Sequence, residues 1–160
     1  MSVTVRAMSS ADVAQVVEFS VRAWEPVFAS FAKVLGTEIY QRVYPDWRES
    51  QARDVARTCT EHLATTWVAD VAGAPVGFAV VIFDEERSAA EIEMLAVDPD
   101  HQRQGIAGTL MEFTFARMRE RGVRLAGVGT GGDPGHEPAR LAYEKAGFTP
   151  LPLVHYYKAL

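Results

Sequence analysis

Residues 95–109 have the residue types and spacing best suited to chemistry, because an apolar strand there turns into the start of a helix. The first turn of a helix carries unpaired backbone N–H groups and the positive end of the helix dipole, so it can hold a phosphate group. Gly105, Ala107 and Gly108 keep bulky side chains out of this turn, and Arg103 adds a positive charge. The run therefore predicts a pyrophosphate-binding turn, with a well-packed strand–helix junction as the alternative.

Residues 91–148 contain two motifs. A Gln102-x-x-Gly105-x-Ala107 motif follows the Leu-Ala-Val-Asp-Pro segment at 95–99, and a Tyr-Glu-Lys-Ala-Gly-Phe segment at 143–148 follows one helix and one strand later. In order and spacing they resemble the acyl-CoA site of the GNAT superfamily of N-acetyltransferases. The resemblance implies that the strand backbone pairs with the pantetheine arm of acetyl-CoA at Leu95, Ala96 and Val97. It also implies that the pyrophosphate lies on the turn formed by Gln102, Arg103, Gln104, Gly105, Ile106, Ala107, Gly108 and Thr109.

Acetyl transfer to an amine, the activity that the resemblance implies, needs a base for the amine and an acid for the leaving thiolate. Glu91 and Glu93 alternate with apolar residues, so on a strand both point to the face of Leu95 and Val97. Histidines stand at these two positions in similar arylalkylamine acetyltransferases, which makes Glu93 the first choice for the base. Solvated or salt-bridged glutamates are the alternative. Tyr143 occupies the family's tyrosine position and is expected to be the acid, with a place in the core as the alternative.

His136 stands where many members of the family carry an asparagine. The resemblance implies that it donates a hydrogen bond to the pantetheine arm, but a helix cap, a group that titrates near neutral pH and a structural histidine stay open. The acceptor is expected to be the amine of a small molecule or a peptide. The fifth strand lacks the glutamate that serves as the base in the enzymes that modify ribosomal proteins, which counts against a ribosomal-protein substrate. We expect the acceptor pocket to include Trp24, Glu25, Phe28, Tyr40, Tyr44 and Tyr156, although most such aromatics belong to the core of a domain.

Other function classes fit the residues less well. Gly127-x-Gly129-x-x-Gly132 satisfies the dinucleotide pattern, but no helix follows it directly and few residues remain for a second strand and helix. The run 129–135 is instead expected to be a mobile loop beside the site. An acyl-CoA-binding regulator or a catalytically silent protein is the alternative to an enzyme. The presence of Tyr143 and the two glutamates favours the enzyme. A purely structural α+β interaction domain would bind no CoA.

Composition predicts a single domain over residues 1–160, because a chain that is 48% apolar and 23% charged can bury one sizeable core at this length. No apolar run approaches the ~20 residues needed to cross a bilayer, and the N-terminus lacks the apolar segment of a signal peptide. We therefore expect a cytoplasmic protein that binds no membrane. The net charge of −5, without a basic cluster, argues against nucleic acid and suits a cationic substrate. Cys59 has no second cysteine near it, so we expect neither a disulfide nor a metal site.

The resemblance implies an α+β fold of three layers, with a mixed, mostly antiparallel sheet of six to seven strands and helices on both faces. The hydrophobic pattern predicts strands at 3–8, 66–70, 76–83, 90–97, 125–130 and 154–159. It predicts helices that begin after Ser9, at 28–44, 47–63, 105–121 and 138–146, with Pro26 ending or kinking the first. A homodimer that pairs through the C-terminal strand is compatible with this pattern.

Overall fold

A computed structural model describes residues 2–160 as a five-stranded sheet between helices. The strands follow one another across the sheet in chain order. The first four pair antiparallel, and the fifth runs parallel to the fourth. The strands are β1 (Thr4–Ala7), β2 (Thr66–Val71), β3 (Ala74–Asp84), β4 (Ala89–Val97) and β5 (Leu125–Val128).

The sheet has five strands, so the prediction of six to seven was wrong. The missing strand is the one predicted at 154–159, where the chain has no regular structure. A strand needs a neighbour to bond its backbone, and this tail pairs with none among residues 2–160. Its apolar side chains, including Leu153 and Tyr156, are therefore exposed.

Four helices complete the fold: α1 (Val13–Val43), α2 (Trp47–Glu61), α3 (Ile106–Glu120) and α4 (Glu137–Lys145). The first helix runs through Pro26 and is interrupted at Gly36 instead, where the backbone takes φ 77°. Proline removes one helical hydrogen bond, whereas the positive φ of Gly36 breaks the helical path itself. No helix among residues 2–160 is long and apolar enough to cross a membrane.

Helices cover both faces of the sheet, as predicted. Phe19 of α1 and Val55 of α2 pack with Phe78 of β3 on one face. Leu110 of α3 packs with Ala79 on the other face, since successive strand residues point to opposite sides. The sheet that contains β4 is therefore the middle of three layers. Both faces of β4 are covered, and its edge toward β5 is the side open to a ligand.

A bulge in β4 changes which residues share a face. Val80 pairs with Met94 and Val81 pairs with Ile92, so Glu93 has no residue opposite it on β3. An extra residue of this kind shifts the alternation of side chains by one position. The prediction that Glu91 shares a face with Leu95 and Val97 was therefore wrong: Ile92, its neighbour, shares the α3 side with Leu95.

Candidate active site

A cavity opens where β4 and β5 separate. The two strands pair from Ala89 and Leu125 to Ile92 and Val128, and β4 continues to Val97 without a partner on that side. The N–H and C=O groups of residues 93–97 that do not bond β3 therefore face the gap. The cavity measures about 800 Å³, which lies in the upper part of the usual range for ligand sites, roughly 300–1,000 Å³.

Most of the predicted cofactor residues line this one cavity. They are Leu95, Ala96, Val97, Gln102, Arg103, Gly105, Ile106, Ala107, Gly108 and His136. Two predicted residues do not reach it. The Thr109 hydroxyl donates to the carbonyl of Gly105 at 3.1 Å, so it is already bonded within the helix, and Gln104 is exposed outside the lining.

The turn before α3 presents free backbone N–H groups to the cavity. Gly105 is the N-cap residue at φ 79°, and Arg103 also has a positive φ, 61°. The first helical bond of this turn comes from the N–H of Thr109, so the amides ahead of it have no partner within the helix. A Cβ added at Gly105 or Gly108 would meet no atom within 4 Å. This open space before the helix N-terminus fits an anion such as a pyrophosphate.

The side chains proposed for acid and base chemistry occupy different places. Tyr143 lines the cavity, and its ring packs at 6.0 Å from that of Phe148. Burial raises the pKa of the Tyr143 phenol, which therefore keeps its proton at neutral pH. Glu93 lines the cavity as an exposed side chain, whereas Glu91 lies outside the lining, with Oε2 3.4 Å from the position of a Cβ on Gly127.

Of the predicted substrate residues Trp24, Glu25 and Phe28, the structure brings Trp24 alone to the cavity. Phe28 is 7% exposed and stacks on Trp47 at 4.3 Å, so its ring stabilises the contact between α1 and α2. Glu25 points away to pair with Arg48 at 2.9 Å. We therefore place neither Phe28 nor Glu25 in the acceptor pocket.

The other aromatic candidates also lie outside the cavity lining. Tyr40 and Tyr44 pack on each other with ring centroids 5.8 Å apart, and Tyr156 lies in the exposed tail. The lining on the α1 side consists of Trp24 and its neighbours Arg22, Ala23, Pro26 and Val27.

Asp133 and His136 form a contact beside the cavity that neither composition nor periodicity of the sequence reveals. Asp133 caps a short turn, Pro134–His136, and its Oδ1 contacts Nδ1 of His136 closely. Its other oxygen accepts hydrogen bonds from the Ser30 hydroxyl at 2.6 Å and the Gly135 N–H at 3.1 Å. The sequence signal for this pair is the spacing of three residues between Asp133 and His136, which places both side chains at one turn.

The acetyltransferase (GNAT) family model matches residues 34–148, more than half of the chain. The chain belongs to this family. It is therefore an acyltransferase, as the sequence motifs indicated. None of the curated proteins compared with the chain matches it.

Solved structures share the fold over nearly the full length. The PaiA N-acetyltransferase of Thermoplasma acidophilum, in complex with coenzyme A, is 19% identical over 93% of this chain and 91% of that chain, with a TM-score of 0.67. An aminoglycoside acetyltransferase from an uncultured soil metagenomic sample, in complex with sisomicin, is 22% identical over 99% and 96%, with a TM-score of 0.61. Ard1 from Thermoplasma volcanium is 25% identical over 95% and 86%, with a TM-score of 0.63.

Metal ligands are not grouped in the part of the chain that the structure describes. Residues 2–160 contain no cluster of three or more His, Cys, Asp or Glu side chains arranged to hold an ion.

Proposed function

We propose that this acyltransferase moves the acetyl group of acetyl-CoA to the primary amine of a small molecule or a peptide, by direct attack in a ternary complex. One observation carries the proposal: the unpaired edge of β4 leads directly into the amide turn at Gly105 within a single cavity. A pantetheine arm is an amide chain that can pair with such an edge, and a pyrophosphate suits the helix N-terminus beyond it.

The proposed contacts follow from this arrangement. The backbone of residues 95–97 would pair with the pantetheine arm, and the amides of residues 102–108 would hold the pyrophosphate. The thioester would then lie where β4 and β5 diverge, near Glu93 and Tyr143, both of which line the cavity. In the transfer a general base first takes one proton from the substrate ammonium, and the amine nitrogen then forms a bond to the thioester carbon while the C–S bond breaks. The thiolate takes the proton of the Tyr143 hydroxyl, and the second proton that the nitrogen loses as the amide forms restores the phenol.

The acceptor would enter from the α1 side, past Trp24. The exposed carboxylate of Glu93 and the overall net charge of −5 favour a cationic amine over an anionic acceptor. The comparison structures that carry the same fold include an enzyme named for aminoglycosides, which are polyamines, and this supports the amine class without choosing a member.

Thiol release from acetyl-CoA tests the proposal. The purified protein is assayed with an aminoglycoside, a linear polyamine, a free amino acid and a peptide with a free N-terminus, and the binding of acetyl-CoA is measured separately by calorimetry. We expect saturable binding and release that depends on one of these amines. Release by none of them, or the absence of acetyl-CoA binding, would contradict the proposed function.

A further inference from the structure

The pair of Asp133 and His136 lies beside the cavity, and of the two only His136 belongs to the lining. The His136 side chain is 15% exposed and that of Asp133 is 10% exposed, and His136 lines the cavity. Arg140 of α4 fixes the loop before His136 by donating to the carbonyls of Gly131 and Asp133, each at 2.7 Å. The loop at this side of the cavity is thus held by specific bonds.

Two glycines of the loop leave the space that this pair fills. A Cβ on Gly131 would collide with Nδ1 of His136 and with the carboxylate of Asp133. A Cβ on Gly135 would lie 2.6 Å from Cβ of Ser30, which is too close for the two to coexist. The absence of a side chain at Gly131 therefore leaves room for the contact between carboxylate and imidazole, and that at Gly135 leaves room for Ser30, which donates to the same carboxylate.

The contact determines what each nitrogen of the imidazole can do. Nδ1 faces a carboxylate, so it carries a proton and donates it, which leaves the lone pair on Nε2. Nε2 has no hydrogen-bond partner among residues 2–160 and is not sealed from solvent. A neutral imidazole that is oriented in this way can accept a proton from a group in the cavity.

Asp133 is charged when it supports this tautomer. Burial by itself would raise the pKa of its carboxyl, but hydrogen bonds from Ser30 and His136 outweigh burial and lower the pKa. Ser30 is not a nucleophile of a serine triad, because its hydroxyl donates to the carboxylate at 2.6 Å and not to the imidazole. The cluster is built to position one base.

We propose that His136 is the general base of the reaction, with Asp133 as its positioning residue; this inference rests on the proposed function. Nε2 takes one proton from the substrate ammonium, and the amine lone pair then attacks the thioester carbon. The C–S bond breaks, and Tyr143 gives its proton to the thiolate. The nitrogen loses a second proton as the amide forms, so Tyr143 and His136 return to their starting states with the release of one proton to water.

Glu93 is the rival base. Its carboxylate is exposed and accepts no hydrogen bond from residues 2–160 that would fix its direction, whereas the imidazole of His136 is held on one side by Asp133. The geometry therefore favours His136.

Other titratable and charged groups surround the imidazole. Arg140 lies on the α4 side, and Phe31 of α1 packs its ring at 5.4 Å from the imidazole, with Tyr44 stacked behind that ring at 5.2 Å. Burial raises the pKa of the Tyr44 phenol, and Tyr157 and Asp133 raise it further. The Tyr44 phenol therefore stays neutral at pH 7, and the carboxylate of Asp133 is the charge in direct contact with the imidazole.

The test uses two substitutions at His136, with the amine found by the thiol-release assay. His136→Asn can still donate to Asp133 but cannot act as a base, and His136→Ala makes room for free imidazole. We expect kcat to fall 10²- to 10⁴-fold in both, on the scale of general base catalysis, while the Kd for acetyl-CoA stays within threefold. Free imidazole should restore turnover of His136→Ala in a saturable way, which a structural role would not allow.

Two further variants serve as controls. His101 also lines the cavity, three residues from an aspartate, with Nδ1 3.7 Å from Asp98. Any loss of activity in His101→Ala should not be restored by imidazole. Asp133→Asn should lower kcat with little change in the KM for acetyl-CoA.

Several results would overturn the inference while leaving the proposed function intact. One such result is a kcat of His136→Asn within threefold of the wild-type kcat. Loss of turnover in Glu93→Gln with full turnover in His136→Ala is another, as is a loss in His136→Ala that imidazole does not restore. If the wild type itself releases no thiol with any amine, the proposed function fails, and the inference fails with it.

Discussion

Substitution of Gly105 by valine tests the placement of the pyrophosphate directly. Gly105 has φ 79°, and an L side chain in the left-handed region costs about 1–2 kcal/mol. The turn can relieve this strain only by changing the direction of its amides, and the new side chain would fill the open space before the helix. Each hydrogen bond to a charged group contributes about 1.5–3 kcal/mol, so the loss of one such bond weakens acetyl-CoA binding by that amount. This corresponds to a Kd raised roughly 10- to 140-fold.

The other end of the same helix supplies the control. Gly122 has φ 76°, and a Cβ there also meets no atom within 4 Å, but Gly122 lies outside the cavity lining. The 15-residue helix separates the two glycines by about 22 Å. Titration calorimetry with acetyl-CoA should show weak binding by Gly105→Val and wild-type binding by Gly122→Val, with similar losses of stability in urea. Wild-type affinity of Gly105→Val, or an equal loss in both variants, would refute the assignment of this turn.

Three further predictions concern the acid, the thiol and the ion pair between Arg6 and Asp12. Tyr143→Phe should bind acetyl-CoA normally and lower kcat about 10- to 100-fold; because burial raises the pKa of this phenol above its ordinary 10.0, wild-type kcat should show no loss from tyrosine ionisation below pH 10. Cys59 is 0% exposed and burial raises its pKa to about 11, so Ellman's reagent should label it only on unfolding; rapid labelling of the native protein would contradict this. Hydrogen bonds from Arg6 at 2.8 and 2.9 Å lower the pKa of Asp12 to about 2 from 3.8, so Asp12→Asn should reduce the free energy of unfolding at pH 7 by about 1–2 kcal/mol, allowing for the exposure of Arg6. That difference should vanish as the pH falls from about 4 to about 2, where the wild-type carboxylate becomes protonated, and a difference that persists at pH 2 would show that the carboxylate charge is not its cause.

Local sequence signals predict the elements that end in a glycine or begin at a cap. Gly122 follows α3 and Gly147 follows α4, each with a positive φ, because a residue without a side chain can close a helix at little cost. Gly105 begins α3 as predicted. These features depend on the chain within a few residues, so the sequence reveals them.

Features that depend on a distant partner are not predicted. The alternation in β4 suggests that Glu91 and Glu93 share the face of Leu95, yet the bulge opposite Val80 and Val81 shifts that alternation. A bulge is a property of the pairing between two strands, and a single strand shows no sign of it. The predicted strand at 154–159 fails for the same reason, since its alternating apolar residues contain no information about whether a neighbour is present.

Substrate residues are the hardest part of the site to predict. Phe28 and Trp24 stand four residues apart and on an ideal helix share a face, yet Trp24 lines the cavity and Phe28 packs on Trp47 of the next helix. The two residues differ because Trp47 of α2 packs against α1 at Phe28, and this packing is a property of the tertiary structure. Aromatic type and spacing therefore place a residue on the inner face of a helix without telling a pocket from a core.

The glycines of 127–135 show how one pattern can support two interpretations. In sequence they satisfy a dinucleotide-binding fingerprint, which requires glycine where the backbone approaches a phosphate. In the structure the close neighbours are side chains from elsewhere in the chain: Glu91 beside Gly127, His136 beside Gly131 and Ser30 beside Gly135. Side chains crowd the positions of Gly131 and Gly135, and Gly131 is explained by the Asp133–His136 pair, whereas a Cβ on Gly132 would meet no atom within 4 Å. Substitution of Gly131 by alanine should accordingly impair turnover through His136, with acetyl-CoA binding retained, because the phosphate turn lies on a different element.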